Sequence, residues 1–388
     1  MRKIYFPVFG SGLGHITRIN EIANCLRKEG DDFLYSTFGE ALDYLKRNNE
    51  KVVECPSVDL RWNESGGFSS KDSFVRFPSL FLDFTNQVRF EFDKMSKFDP
   101  NLVVSDSRLS AVFAARMESL PMITILNQFK ILFPPRFRES IGSKLYERIA
   151  GNVLGLFWDL SSEVLMPDLP PPYTISEANV AGSDVSSRVK YVGFIAPTIH
   201  APAERLEKVK KSLSLDSRPL VFIQVSGPNV TKRRFVDTAL VSTDELSRKY
   251  NVVVSMGNAN ASSEPRRLAN DAWLYEWCPI KDELFVLADL LVARSGHTTI
   301  SQCIDLGKPA VLAPIYNHSE QIWNAEKFQK MGLGIEIRAE NLSARKLVDS
   351  VEACIEDSRY AGNAHKLQSV SRQYNGLDSA VQIINSYL

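Results

Sequence analysis

Short apolar runs rich in β-branched residues alternate along the whole chain with longer segments whose apolar positions recur every three or four residues. The short runs are almost continuously hydrophobic, as expected of strands buried on both faces of a parallel sheet. In the first half they fall at Ile4–Phe9, Phe33–Ser36, Lys51–Glu54, Leu102–Ser105, Met122–Leu126 and Val164–Met166. Helical patterns, Ile16–Lys28 and Ala111–Glu118 among them, lie between. In the second half the strand-like runs are Leu220–Val225, Val252–Ser255, Trp273–Tyr275, Leu290–Ala293, Ala310–Ala313 and Gly334–Ile337. Helices are expected to begin near Lys281, Thr298, Glu320 and Ser343. Such alternation predicts an α/β fold with a parallel sheet in each half.

The halves meet at Gly193 to Ala203, where Pro197 and Pro202 discourage regular structure. A helical segment, Glu204–Ser212, follows. The 388 residues are enough for two domains, predicted as 1–196 and 204–388 with 197–203 as the linker.

Charge narrows the choice of partners. The 46 basic and 46 acidic residues cancel, so the chain lacks the basic footprint of a nucleic-acid binder. The five cysteines, Cys25, Cys55, Cys278, Cys303 and Cys354, form no Cys-x-x-Cys pair and are odd in number. That usage fits a reducing compartment. The opening residues reach Gly10 too soon for a signal peptide, and the longest apolar stretch, Leu284 to Ala293, is interrupted by Asp289. A cytoplasmic protein is expected, with any membrane contact peripheral.

Three constellations carry candidate chemistry. The first is Gly10-Ser11-Gly12-Leu13-Gly14-His15, between a strand and a helix. Glycines let a ligand approach the backbone, and a helix start offers unpaired N–H groups. His15 stands where the dinucleotide fingerprint needs its last glycine, and neither a Gly-Lys-Ser/Thr phosphate loop nor a Gly-x-Ser-x-Gly elbow occurs. His15 is therefore a candidate general base at the mouth of the loop. Asp106 ends the run Leu102–Ser105, at the strand edge that lines ligand crevices in parallel sheets. It would orient His15, or cap the helix beginning near Arg108.

The second constellation runs from Leu290 to Gln302, where a strand enters the turn Arg294-Ser295-Gly296-His297-Thr298 and then a helix. Backbone N–H groups, the helix dipole and hydroxyls there suit a phosphate, with Gln302 one turn later. Ser295 and Thr298 would equally serve as helix caps. Ser226 and Gly227, after the first strand of this half, are placed to approach the same anion. The third is Pro314 to Ala325, which groups Glu320, Gln321 and Asn324 in one helical turn, a set suited to sugar hydroxyls.

Together these pieces resemble the GT-B glycosyltransferases, in particular the family of the bacterial peptidoglycan N-acetylglucosaminyltransferase and its archaeal relatives. The resemblance rests on Gly10–Arg18, Asp99–Asp106, Glu276-Trp277-Cys278-Pro279-Ile280, Arg294–Gln302 and His318–Ala325, in that order. It implies two Rossmann-like, doubly wound domains facing each other across a cleft. The acceptor would bind to the first and the nucleotide sugar to the second, with the last helix, about 376–388, packing back on the first. It further implies that Trp277 and the backbone of Ile280 hold uracil, although Trp277 at a strand end would also suit a core position. Gly14 and the Ser226–Gly227 turn would complete the donor site. Ser295, Gly296, His297 and Thr298, beside Arg294, would hold the diphosphate, and Glu320 and Gln321 would read the sugar. Relatives carry a glutamate on the ribose where this chain has Gln302, an amide without charge assistance.

No Asp-x-Asp occurs, so a UDP-sugar substrate bound without a metal or other cofactor is expected. The resemblance implies an inverting transfer of a hexose or N-acetylhexosamine to a hydroxyl, on a lipid-linked or membrane-associated acceptor. A UDP-sugar 2-epimerase and a non-catalytic nucleotide-sugar-binding subunit are the alternatives. Two segments mix aromatic and aliphatic residues with cations, Phe74–Phe92 with Arg76 and Arg89 (Lys94 just beyond), and Asn127–Leu156. The second holds Ile131, Leu132, Phe133, Phe137, Leu145, Tyr146 and Ile149 with Lys130, Arg136, Arg138, Lys144 and Arg148. Both suit peripheral contact with an anionic membrane, or ordinary helices with cations turned to solvent.

Overall fold

The computed structural model describes residues 2–57, 77–130, 132, 141–180, 189–197, 199–258, 261–268 and 271–388. They form two units. The first holds the described residues up to Pro197 together with Tyr374–Leu388, and the second holds those between.

The first unit is built on seven parallel strands: β1 (Lys3–Pro7), β2 (Asp32–Thr37), β3 (Val52–Glu54), β4 (Leu102–Asp106), β5 (Met122–Ile125), β6 (Glu163–Met166) and β7 (Val189–Tyr191). Their order is β3-β2-β1-β4-β5-β6-β7. Alternate residues of β1 serve opposite faces, as strand geometry requires. Ile4, Phe6 and Val8 join Ile16, Ile19, Ile22 and Leu26 of the helix Gly14–Leu26 in one core layer. Tyr5 and Val103 pack in the other layer with Met95, Phe98, Ala111 and Ala115. Each large apolar side chain so buried contributes about 1.5–3 kcal/mol.

The second unit repeats the scheme with β8 (Leu220–Gln224), β9 (Asn251–Ser255), β10 (Arg266–Arg267), β11 (Trp273–Tyr275), β12 (Leu290–Ala293), β13 (Ala310–Leu312) and β14 (Gly334–Glu336). The order is β10-β11-β9-β8-β12-β13-β14, with β10 antiparallel to β11 and the other pairs parallel. Val221, Ile223 and Val225 pack with Phe235, Val236 and Ala239 of the helix Asn229–Leu246.

β7 and β10 are absent from the sequence-based strand set for physical reasons. β7 is a three-residue edge strand and β10 a pair of exposed arginines, so neither has an apolar run to betray it. After Gln373 the chain returns to the first unit. Ala380 and Ile384 of the helix Gly376–Asn385 enter the core with Ile16 and Ile19. Arg2 Nη1 donates to Asn385 Oδ1 at 2.9 Å. Among the described residues no helix is long and apolar enough to cross a membrane.

Candidate active site

In each sheet the chain first builds outward on one side and then crosses to the other. The reversal falls between β1 and β4 in the first unit and between β8 and β12 in the second. At such a point the loops leaving the strands' carboxyl ends diverge and open a ligand crevice. The glycine loop and Asp106 flank the first switch point. The Ser226–Gly227 turn and the Arg294–Thr298 turn flank the second.

Gly12 has φ +79°, which the first loop needs to turn from β1 into the helix Gly14–Leu26. His15 is the second residue of that helix. Its Nδ1 lies 2.7 Å from Asp106 Oδ1 at the end of β4. Its ring also meets Phe9 edge to face at 5.5 Å between centroids. The His15 side chain is 26% exposed whereas Asp106 is fully buried, so one partner is accessible and the other is held dry.

Arg18, one turn further along the helix and itself buried, completes the cluster. Its Nη2 donates to Asp106 Oδ1 at 2.6 Å and its Nε donates to Oδ2. Burial alone would raise the Asp106 carboxyl. The Arg18 guanidinium and His15 outweigh it and hold the group down at about 2. An ionised carboxylate only accepts, so His15 Nδ1 carries a proton, which in a neutral ring leaves the lone pair on Nε2. The 3.2 Å approach of Arg18 Nη2 to His15 Nδ1 is thus two donors sharing one acceptor oxygen. Asp106 does not cap the following helix, whose N-cap is Arg108 without a side-chain cap bond. Arg18 was missed from sequence, where a cation on an amphipathic helix reads as solvent-facing; its sharing a helix face with His15 was the available signal.

In the second unit the loops after β8, β11, β12 and β13 all leave the same sheet edge. Gly227 has φ +100° and precedes the helix Asn229–Leu246. The helices Asn229–Leu246 and His297–Asp305 both start without a side-chain cap, as do Gly14–Leu26, Gly39–Arg47, Leu109–Met117, Ala203–Ser212 and Lys281–Leu287. Both helix N-termini lie at the switch point, where first-turn N–H groups and the helix dipole suit an anion. Gly296 is the N-cap of His297–Asp305, with an ordinary φ of −65°. A Cβ there would meet nothing within 4 Å. Neither backbone strain nor packing demands glycine at this position, and the space beside it is open.

The side chains around this turn are largely engaged with one another. Ser295 Oγ donates to Gln321 O at 2.7 Å, and Asn324 Nδ2 to Ser295 O at 3.4 Å. Gln321 Oε1 accepts from Ile315 N at 3.1 Å. Arg294 is buried over the Phe235 ring and donates to the carbonyls of Ala313, Pro314 and Thr231, and burial lowers its guanidinium to about 10. Ser295 and Thr298 are not the helix cap. His318 caps Ser319–Lys330, with Nδ1 accepting from Gln321 N at 3.4 Å, and burial lowers its imidazole. Ser226, Gly227, Gly296, Thr298, Glu320 and Gln321 keep some exposure, whereas His297, Gln302 and Asn324 are buried. Trp277 is 39% exposed, which decides against a core role, and Ile280 is the N-cap of Lys281–Leu287. Among the described residues no three His, Cys, Asp or Glu side chains group as a metal site.

Residues 227–379 match the glycosyltransferase family 28 C-terminal domain, and residues 2–137 match glycosyl transferase family 1. An uncharacterized glycosyltransferase of Methanopyrus kandleri is 26% identical over 334 residues, 85% of this chain and 91% of its own. The UDP-N-acetylglucosamine--N-acetylmuramyl-(pentapeptide) pyrophosphoryl-undecaprenol N-acetylglucosamine transferase of Streptococcus gordonii is 25% identical over 199 residues, 48% of this chain and 54% of its own. Among solved structures, the spinosyn rhamnosyltransferase SpnG superposes with a TM-score of 0.70 at 16% identity, covering 99% of this chain and 100% of its own. SpnG has also been solved with thymidine diphosphate. With two parallel α/β units, each carrying its polar loops at a switch point, this chain is a glycosyltransferase of the GT-B fold with a family 28 type C-terminal domain.

Proposed function

We propose that the chain is a metal-independent, inverting transferase that moves a hexose or N-acetylhexosamine from UDP to a hydroxyl of a lipid-linked acceptor at the cytoplasmic face of a membrane. The observation that carries the reading is the His15–Asp106 pair, a partly exposed imidazole oriented by a buried, ionised carboxylate. His15 Nε2 would take the proton of the acceptor hydroxyl as its oxygen bonds to the sugar's anomeric carbon. The bond from that carbon to the diphosphate breaks, and UDP leaves with the electron pair. Asp106 stays ionised and stabilises the imidazolium. Charge developing on the diphosphate would be met by the N-terminal ends of His297–Asp305 and Asn229–Leu246. The base would rest on Trp277 and the backbone of Ile280, with Gln302 on the ribose and Glu320 and Gln321 on the sugar. Gln321 would exchange its bond to Ile315 N for one to substrate.

The uridine preference follows the UDP-linked donor in the name of the Streptococcus transferase, while the thymidine diphosphate complex of SpnG marks the competing base. Thermal unfolding with UDP, TDP and GDP separates them, because a ligand at about 100 times its Kd stabilises by about 2.7 kcal/mol. UDP is expected to give the largest shift, and sugar release from a UDP-sugar to survive excess EDTA. A larger shift with GDP or TDP, or activity lost on chelation and restored by magnesium, contradicts the reading.

A further inference from the structure

The His15–Asp106 pair has a third member whose charge the proton transfer does not use. Arg18 Nε donates to Asp106 Oδ2, and Arg18 Nη2 donates to Oδ1 at 2.6 Å. His15 Nδ1 donates to the same Oδ1 at 2.7 Å, so a guanidinium and an imidazole converge on one oxygen. Nη2 and Nδ1 stand 3.2 Å apart there. The Arg18 side chain is 4% exposed and Asp106 fully buried, so solvent screens this contact little.

Counting charge shows what the arrangement does to the base. In a bare imidazole–carboxylate pair, protonating the ring takes the pair from a net negative charge to neutrality. The carboxylate then favours the imidazolium, which no longer accepts a proton. With Arg18 in place, the same protonation takes the trio from neutrality to a net positive charge. It also sets a second cation against the first in a largely dry site. Among the described residues no other charged side chain bonds to His15. Glu21 on its own helix, Glu40 at the start of the helix Gly39–Arg47 and Asp378 on Gly376–Asn385 make no hydrogen bond or ion pair with it. Arg108, two residues beyond Asp106, donates to Glu91 and to the Val8 carbonyl instead. Phe9, in the loop after β1, offers its ring. Arg76, Arg136 and Arg138, with Ile131, Phe133, Phe137 and the side chain of Tyr146, lie outside the described residues and carry none of this argument.

We infer that Arg18 is a positioning residue that keeps His15 unprotonated at neutral pH, by cancelling the charge of Asp106 while leaving its orienting hydrogen bond in place. The inference rests on the transferase reading and deepens it. Asp106 fixes which ring nitrogen is left to accept the hydroxyl proton, and Arg18 stops the carboxylate from filling that position in advance.

NMR of the full chain with isotope-labelled histidine tests it. Each of the five histidines gives one Cε1 signal, and His15→Gln identifies the one sought. Arg18→Met should raise the titration midpoint of His15 by about one to three pH units, the usual effect of a charge at this range. Asp106→Asn should lower it, because the guanidinium then acts unopposed. Where either single variant does not fold, Arg18→Met with Asp106→Asn removes both charges and leaves neither partner buried alone. Its midpoint should stay within about half a unit of wild type, whereas an Arg18 that only supports the fold would let it fall by about a unit or more. An Arg18→Met midpoint equal to wild type, or a double variant that titrates well below wild type, overturns the inference. The acidic limb of kcat/KM for a UDP-sugar should rise with the NMR midpoint in Arg18→Met. Failure of the transferase reading would register separately, as the expected NMR shifts with no sugar release from any UDP-sugar.

Discussion

Asp106 shows how much a single buried group can reveal. Its carboxyl is fully buried yet ionised, because Arg18 and His15 both donate to it. A group lowered on folding from 3.8 to about 2 contributes about 2 kcal/mol at neutral pH. The sign follows from its being depressed: the contribution is complete above pH 3.8 and disappears as pH falls toward 2. Asp106→Asn should remove that acid dependence. It should also destabilise the protein at pH 7 by about 3–5 kcal/mol, because Arg18 loses its buried counter-charge. Urea unfolding of both proteins between pH 7 and pH 2 measures the two effects, and identical pH slopes would contradict the pairing. His15 and Asp106 were legible as candidates because a glycine loop and a strand end announce themselves locally. Their pairing with Arg18 joins residues 88 apart in sequence, which no local pattern encodes.

At the scale of elements, the informative feature is where two helices start. Asn229–Leu246 and His297–Asp305 begin at the second switch point uncapped, behind turns containing Gly227 and Gly296. Gly296→Ala isolates the ligand's contribution. The added methyl would meet no protein atom within 4 Å at an ordinary φ, so the melting temperature should move by only a few degrees. UDP affinity measured by calorimetry should weaken at least about tenfold, because the methyl would stand where the diphosphate approaches. Unchanged affinity would remove this turn from the donor site. The strand-turn-helix order here was readable from sequence, since hydrophobic runs and turn residues mark it. The partners of Ser295, Gln321 and Asn324 were not, because they tie together loops from different strands. Polar residues that read as ligand contacts also hold the loops in register with one another.

For the whole molecule, the alternation of runs and periodic segments was enough to expect two parallel α/β sheets, because strands buried on both faces need continuous apolar sequence. The return of Tyr374–Leu388 to the first unit depends on Ala380 and Ile384 meeting Ile16 and Ile19, a contact between chain ends. The two switch points carry different groups: an imidazole with its carboxylate on the first unit, and two helix N-termini on the second. The central claim is that these are separate halves of one sugar transfer. It is tested most directly by His15→Ala, assayed in parallel for turnover of a UDP-sugar and for UDP affinity. The account predicts turnover lower by about 10²–10⁴-fold, the usual worth of a general base, with UDP affinity within about twofold of wild type. Turnover near the wild-type rate, or a loss of activity matched by an equal loss of UDP binding, would contradict it.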